Sequence, residues 1–163
     1  MTALDPIAEA RRQWEAHGWV GAAAGMAALT SIMRTQQLFL ADVEVHLAPF
    51  DLTFARFELL RLLAFTRHGE LPLGKLGDRL QVHATSVTNA VNRLEAQGFV
   101  ERRSHPTDGR TTLAAITPAG RRVVERATVV LNDEVFADIG LSDRECEQLF
   151  RLLRKIRARS PKY

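Results

Sequence analysis

The chain has 163 residues, 46% hydrophobic and 25% charged, enough for one well-packed domain and short for two independent ones. One cysteine excludes an internal disulfide framework, and no apolar run approaches the ~20 residues of a membrane span, Val20–Leu29 coming nearest. The opening MTALDPIAEARRQWE lacks the apolar stretch of a secretory signal, so a cytoplasmic location and no membrane partner are expected.

In chain order, Asp5–His17 reads as a short amphipathic helix, with Trp14 and Trp19 flanking the breaker Gly18. A long helix follows from Val20 to Leu47. Met26, Leu29, Met33, Gln36, Leu40, Val43 and Leu47 recur at alternating steps of three and four, the stripe of a helix packed along another helix. Ile32, Phe39 and His46 form a second line beside it, and Pro49 stops the helix. Thr53 caps the next helix, Phe54 to Arg67, with Leu52 and Phe57 placed for a hydrophobic staple. Gly69 closes it, and Leu71-Pro72-Leu73 is extended enough for a small strand.

Lys75–Leu80 is a short helix, Gln81-Val82-His83 a turn, and Ala84–Gln97 a second helix closed by Gly98. On that second helix Val87, Val91 and Leu94 share one face and should pack inward. Phe99–Ser104 and Thr111–Ile116 alternate or carry β-branched residues, as paired strands do, around the turn-rich tip His105–Arg110. Thr117 and Pro118 start a helix that should run to Asp138. After Gly140, Ser142 to Glu145 is a capping box, with Leu141 and Cys146 at staple positions. Cys146, Leu149, Leu153 and Ile156 repeat the three-four stripe, and the basic tail Arg157–Tyr163 should fray.

Helix, turn, helix and basic hairpin in this order form the layout of a winged helix-turn-helix on duplex DNA. The fold class is therefore mainly α (α+β), with a small β-wing. Residues 75 to 126 carry a net charge of +4 and the remainder −1, so the positive excess coincides with this reader. Thr85, Ser86, Thr88, Asn89, Asn92 and Arg93 give the second helix a polar face with no Glu or Lys between 85 and 92. An ordinary solvated helix face would favour those strong helix formers. Asn89 and Asn92 suit bidentate pairing to adenine, and Thr85, Ser86 and Thr88 suit phosphates or thymine methyls. Arg93 fits either bases or phosphate. Lys75, Arg79 and Arg103 are expected backbone contacts, with plain surface charge as the alternative for each.

Narrow stripes near both ends of the chain call for partners. Pairing across a two-fold axis would bury both and set two recognition helices over half-sites roughly 10 bp apart or a multiple of that. Packing on each other within one chain is the alternative.

LGDRLQVHATSVTNAVNRLEAQGFVERRSHPTDGRTTLAAITPAG resembles the core of the MarR family of bacterial transcription regulators. The most specific parts are Arg102-Arg103, the wing Pro106-Thr107-Asp108-Gly109-Arg110, and Thr117-Pro118-Ala119-Gly120. The resemblance spans residues 26–158, with 53–117 as the DNA-binding lobe (helix-turn-helix 75–98, wing 99–116) and 20–48 and 118–158 as dimerisation helices. Residues 1–25 form an extension. The predominance of arginine over lysine suits a GC-rich bacterial genome.

The resemblance implies a homodimeric repressor of a pseudo-palindromic operator, with Arg110 reaching toward a minor groove and Asp108 as its orienting partner. Gly109 stands where many relatives have another arginine. A small aromatic or anionic effector would release the DNA from a site among Trp14, Trp19, Arg34, Phe39, His46, Phe54 and Phe57, with Arg34 or Arg56 as the cation. An effector-independent winged-helix module for DNA or protein contact is the alternative. No cofactor is expected. Cys146 reads as a buried structural thiol, and the scattered histidines (His17, His46, His68, His83, His105) lack metal-ligand spacing. His83, Asp78 and Ser86 carry no oxyanion signature, so no catalytic residue is assigned.

Overall fold

The computed structural model describes residues 4–159, which fall into two units dividing after Val43. The first holds α1 (Pro6–Ala16) and most of α2 (Val20–Leu47). Asp5 caps α1 by accepting the Ile7 N–H at 2.9 Å, and Pro6 supplies a first turn that needs no amide donor. Trp14 meets Trp19 edge-on at 5.2 Å, and His17 stacks on Trp19 at 5.6 Å. Leu29 and Met33 of the α2 stripe are exposed.

In the second unit α2 ends at Leu47, followed by a 3-10 turn, Ala48–Phe50, that contains Pro49. Thr53 caps α3 (Phe54–Phe65) through the Arg56 N–H, and Leu52 and Phe57 are both buried, as a staple requires. The helix stops two residues before the expected Arg67. Thr66 is extended, and its hydroxyl donates to the Leu63 carbonyl at 2.7 Å. Next come β1 (Glu70–Pro72), α4 (Leu73–Leu80), α5 (Ala84–Ala96), β2 (Val100–Ser104), β3 (Thr112–Ile116), α6 (Pro118–Leu131) and α7 (Asp143–Arg157).

The small strand lies one residue earlier than expected, and α4 begins at Leu73 rather than Lys75. Pro72 has no N–H to extend the ladder and stands as the residue before the helix, tolerable because β1 is an edge strand. Beyond Leu131, α6 widens into a π-helical turn, Asn132–Phe136, short of the expected Asp138. Val135 stays buried there, four residues after Leu131. Cys146, expected to be buried, is half-buried, and α7 buries none of its residues within one chain.

The antiparallel sheet has the order β1-β3-β2, so β3 is central and its Leu113, Ala114 and Ala115 are buried. Glu70 pairs with Ala115 on one side of β3, and Arg103 with Leu113 on the other. α3 packs against α4, α5, α6 and the sheet, a core filled by Leu59, Leu60, Leu63, Leu76, Leu94 and Val124.

The start of α6 is fixed to the end of α5. Thr117 donates its N–H to the Phe99 carbonyl at 3.0 Å and its hydroxyl to that of Gly98 at 2.7 Å. The same hydroxyl accepts the Gly120 N–H. A Cβ at Gly120 would run into the Phe99 carbonyl and approach Ile116 at 3.0 Å. Gly120→Ala is therefore expected to destabilise the protein by about 1–3 kcal/mol, read as a lower denaturant midpoint. An unchanged midpoint would mean that α6 can lift off Phe99 without loss.

Candidate nucleic-acid interface

Three side chains orient α5. Val87, Val91 and Leu94 are buried, which turns Thr85, Ser86, Thr88, Asn89, Asn92 and Arg93 to the surface. His83 caps the helix: its Nδ1 accepts the Thr85 N–H at 3.2 Å. In the sequence His83 is simply the last residue of the turn Gln81-Val82-His83, and its cap follows only from the structure. Gln81, with φ +56, closes α4 in a left-handed conformation and so makes the bend between the two helices.

The surface residues of α5 are differently occupied. Thr88 donates its hydroxyl to the Ala84 carbonyl at 3.1 Å. The Asn92 amide oxygen accepts from Arg102, whose other terminal nitrogen pairs with Glu95. Arg102 also donates its backbone N–H to Glu95 at 3.3 Å, so it ties β2 to α5. Ser86, Asn89 and Arg93 have no hydrogen-bond or ion-pair partner for their side chains among the described residues. Of this group only Asn89 offers both amide edges to a base.

The wing tip is held by Asp108. Its Oδ1 accepts the Arg110 N–H at 3.1 Å and its Oδ2 the Thr111 hydroxyl at 2.7 Å, while Thr111 N–H donates to the Asp108 carbonyl. Asp108 thus orients Arg110 through the main chain, and the Arg110 guanidinium has no partner among the described residues. Arg110 shares a cleft of about 490 Å³ with Lys75, Asp78 and Thr111, at the join of α4 and the wing. Arg79 is exposed on α4. Arg103 is paired with Glu101 and lies 3.6 Å from Glu70.

A second cleft, of about 660 Å³, opens between the start of α3 and α5, lined by Thr53, Arg56, Ser86, Asn89, Arg93 and Gln97 among others. Of the residues proposed to meet an effector, Trp14, Trp19, Arg34 and Phe39 belong to the first unit, where Arg34 donates to Gln37 at 3.1 Å. His46, Phe54 and Phe57 belong to the second; Phe54 stacks on Phe57 at 6.3 Å, and Phe57 is buried. Among the described residues no group of His, Cys, Asp and Glu could hold a metal, and no helix is long and apolar enough to cross a membrane.

Two helices joined by a tight turn, with a β-hairpin beside them, define the second unit as a winged helix-turn-helix module. A model of the MarR family matches residues 50–111. The transcriptional regulator MhqR of Bacillus subtilis is 30% identical over 120 residues, 68% of this chain and 76% of that protein. The crystal structure of Sco5413, a MarR family transcriptional regulator from Streptomyces coelicolor, is 49% identical and superimposes with a TM-score of 0.76, over 83% of this chain and 94% of that one. A mutant MarR from E. coli complexed with operator DNA is 25% identical with a TM-score of 0.71, over 78% and 91%. The chain belongs to the MarR family of transcriptional regulators, which are not enzymes.

The Thr111 hydroxyl and the Arg110 N–H hold the Asp108 carboxyl below the usual aspartate range. A depressed carboxylate contributes order above its unfolded pKa and loses it as pH falls through the folded one. The Asp108 contribution to the wing should therefore stay constant from about pH 5 to 8, since aspartate ordinarily titrates near 3.9. Asp108→Ala removes both acceptors at every pH. Its expected outcome is lower heteronuclear NOE values at the Arg110 and Thr111 amides, and equal values would show that the tip is ordered without it.

Proposed function

We propose that this protein is a homodimeric repressor that binds a pseudo-palindromic operator and leaves it when a small aromatic or anionic ligand binds. The observation that carries the DNA reading is an exposed, nearly uncharged polar face on α5 beside a wing whose Arg110 guanidinium is unpaired. α5 enters the major groove, where Asn89 pairs with a base edge and Thr85, Ser86 and Thr88 meet phosphates or methyl groups. Arg110 reaches the neighbouring minor groove or backbone, with Lys75 and Arg79 on flanking phosphates. The operator complex of the E. coli relative supports double-stranded DNA as the partner.

Exposed apolar side chains support the second copy. Val129, Phe136, Phe150, Leu152 and Ile156 in the second unit, and Leu29 and Met33 in the first, leave more apolar surface open than a monomer keeps uncovered. Covering them with residues 20–48 and 118–158 of a partner would set two recognition helices in register with the pitch of DNA. The ligand acts by population shift: it favours a dimer whose helices are misplaced for successive grooves, and operator affinity falls by the difference in its binding energies.

Anisotropy titrations with duplexes from the gene's upstream region test the reading. Arg110→Ala should weaken binding to all sequences and lower the slope of log affinity against log salt by about 0.9 per wing. Asn89→Ala should instead change the preferred sequence in a selection from random DNA. Wild-type slope and preference in both variants would remove the wing and α5 from the interface. Light scattering should give the mass of two chains, and a monomer would end the palindromic reading. A thermal-shift screen of phenolic acids and hydrophobic amides should find a stabilising compound; no stabilisation would leave a regulator without an effector.

A further inference from the structure

We infer that the cleft between the start of α3 and α5 is a second phosphodiester site, where Arg56 and Arg93 hold the DNA backbone at a point separate from the wing; this rests on the DNA-binding reading above. The cleft continues from the base-reading face, because Ser86, Asn89 and Arg93 of α5 form one of its walls. Arg56 and Gln97 belong to its lining as well. A duplex seated on Asn89 therefore brings its backbone to the cleft.

Arg56 differs from three arginines of the second unit that are held by carboxylates. Arg61, Arg102 and Arg103 each pair with a glutamate, which offsets their charge. Arg56 is held by neutral acceptors: its Nε donates to Thr53 Oγ1 at 3.3 Å and Nη1 to Gln97 Oε1 at 3.1 Å. Gln97 is in turn fixed by donating its amide to the Asp51 carbonyl at 2.8 Å and to Asp51 Oδ2 at 2.7 Å. Two of the five guanidinium N–H groups are thus used for orientation, and three remain for an incoming oxyanion. Half-burial and a fixed geometry mean that little side-chain freedom is lost when the anion arrives. Arg93, without a partner of its own, supplies the second charge.

Asp51 also lines the cleft, and its carboxylate opposes an anion. Its Oδ2 is engaged by Gln97, yet the charge remains, leaving the cleft one unit positive. Asp51 is therefore a brake on phosphate affinity. Its left-handed backbone, φ +52, is one that asparagine also tolerates, so the charge can be removed without strain.

Anisotropy titrations of the full chain over 50–200 mM salt test the assignment, using one operator duplex and a set carrying single methylphosphonates. Arg56→Gln should lower the salt slope by about 0.9 per bound protomer, so that quadrupling the salt weakens it about 3.5-fold less than wild type for each protomer. Base preference should not change. Arg56→Lys should restore the slope, and Asp51→Asn should tighten binding. One neutralised phosphate should weaken the wild type by a larger factor than it weakens Arg56→Gln. Wild-type binding together with a wild-type slope in Arg56→Gln, or no such phosphate, overturns this inference alone, whereas a wild type that binds no duplex overturns the DNA reading with it. Stabilisation by benzoate that Arg56→Gln abolishes, at an unchanged salt slope, would assign the cleft to a small carboxylate and also overturn it. Should Arg56→Gln melt far below the wild type, Arg56→Lys and Asp51→Asn carry the same decision.

Discussion

Burial of Val87, Val91 and Leu94 commits α5 to one rotation about its axis, and the proposed chemistry depends on that choice. Each side chain contributes about 2 kcal/mol when removed from water. A cap such as the one His83 makes is worth about 1 kcal/mol. Packing therefore decides which side of the helix faces outward, and the cap decides only where the helix begins. Thr85, Ser86, Asn89 and Arg93 are outward because three apolar neighbours are inward, and none of them needs a stabilising contact of its own.

That rotation is transmitted along the chain by short-range ties. Arg102 bridges β2 to Glu95 and Asn92 and so ties the wing to α5. Thr117 and Gly120 lock the first turn of α6 onto Gly98 and Phe99. On the opposite side Arg61 of α3 donates to the Val124 carbonyl at 3.0 Å and to Glu125 at 3.1 Å, gripping α6 a turn further on. α6 is consequently held both to the segment that follows α5 and to α3.

Regular elements were legible in the sequence because their signals are local. The stripe Val87–Val91–Leu94, the Thr53 and Thr117 caps, the capping box at Ser142 and the turn-rich tip at His105–Arg110 are each settled within a few residues. Boundaries slipped where two local rules compete, as at Pro72, which ends a strand and precedes a helix. The side-chain network was not legible. The Arg102–Asn92 and Arg56–Gln97 bonds join residues 10 and 41 positions apart, and periodicity carries no information about such pairings. Arg102 stands out in sequence only as part of a family-specific pair, and Arg56 only as one of two cations for an anionic effector. The use of Asp108 was half legible: its place in the tip was plain, but its bonds go to the main chain of Arg110 and the hydroxyl of Thr111.

The same network changes what the basic window means. Its net charge of +4 treats all arginines alike, yet they differ in how freely they can turn to a phosphate. Arg102 is 29% exposed and holds Glu95 and Asn92, so turning it to a phosphate would undo the tie between β2 and α5. Arg103 is 55% exposed, and an exposed ion pair such as its bond to Glu101 is worth only about 0–1 kcal/mol. A phosphate can displace that glutamate at little cost, which keeps Arg103 available despite its pairing. Arg110 and Arg93 need no exchange. The electrostatic footprint is thus smaller than the composition implies and graded by exposure.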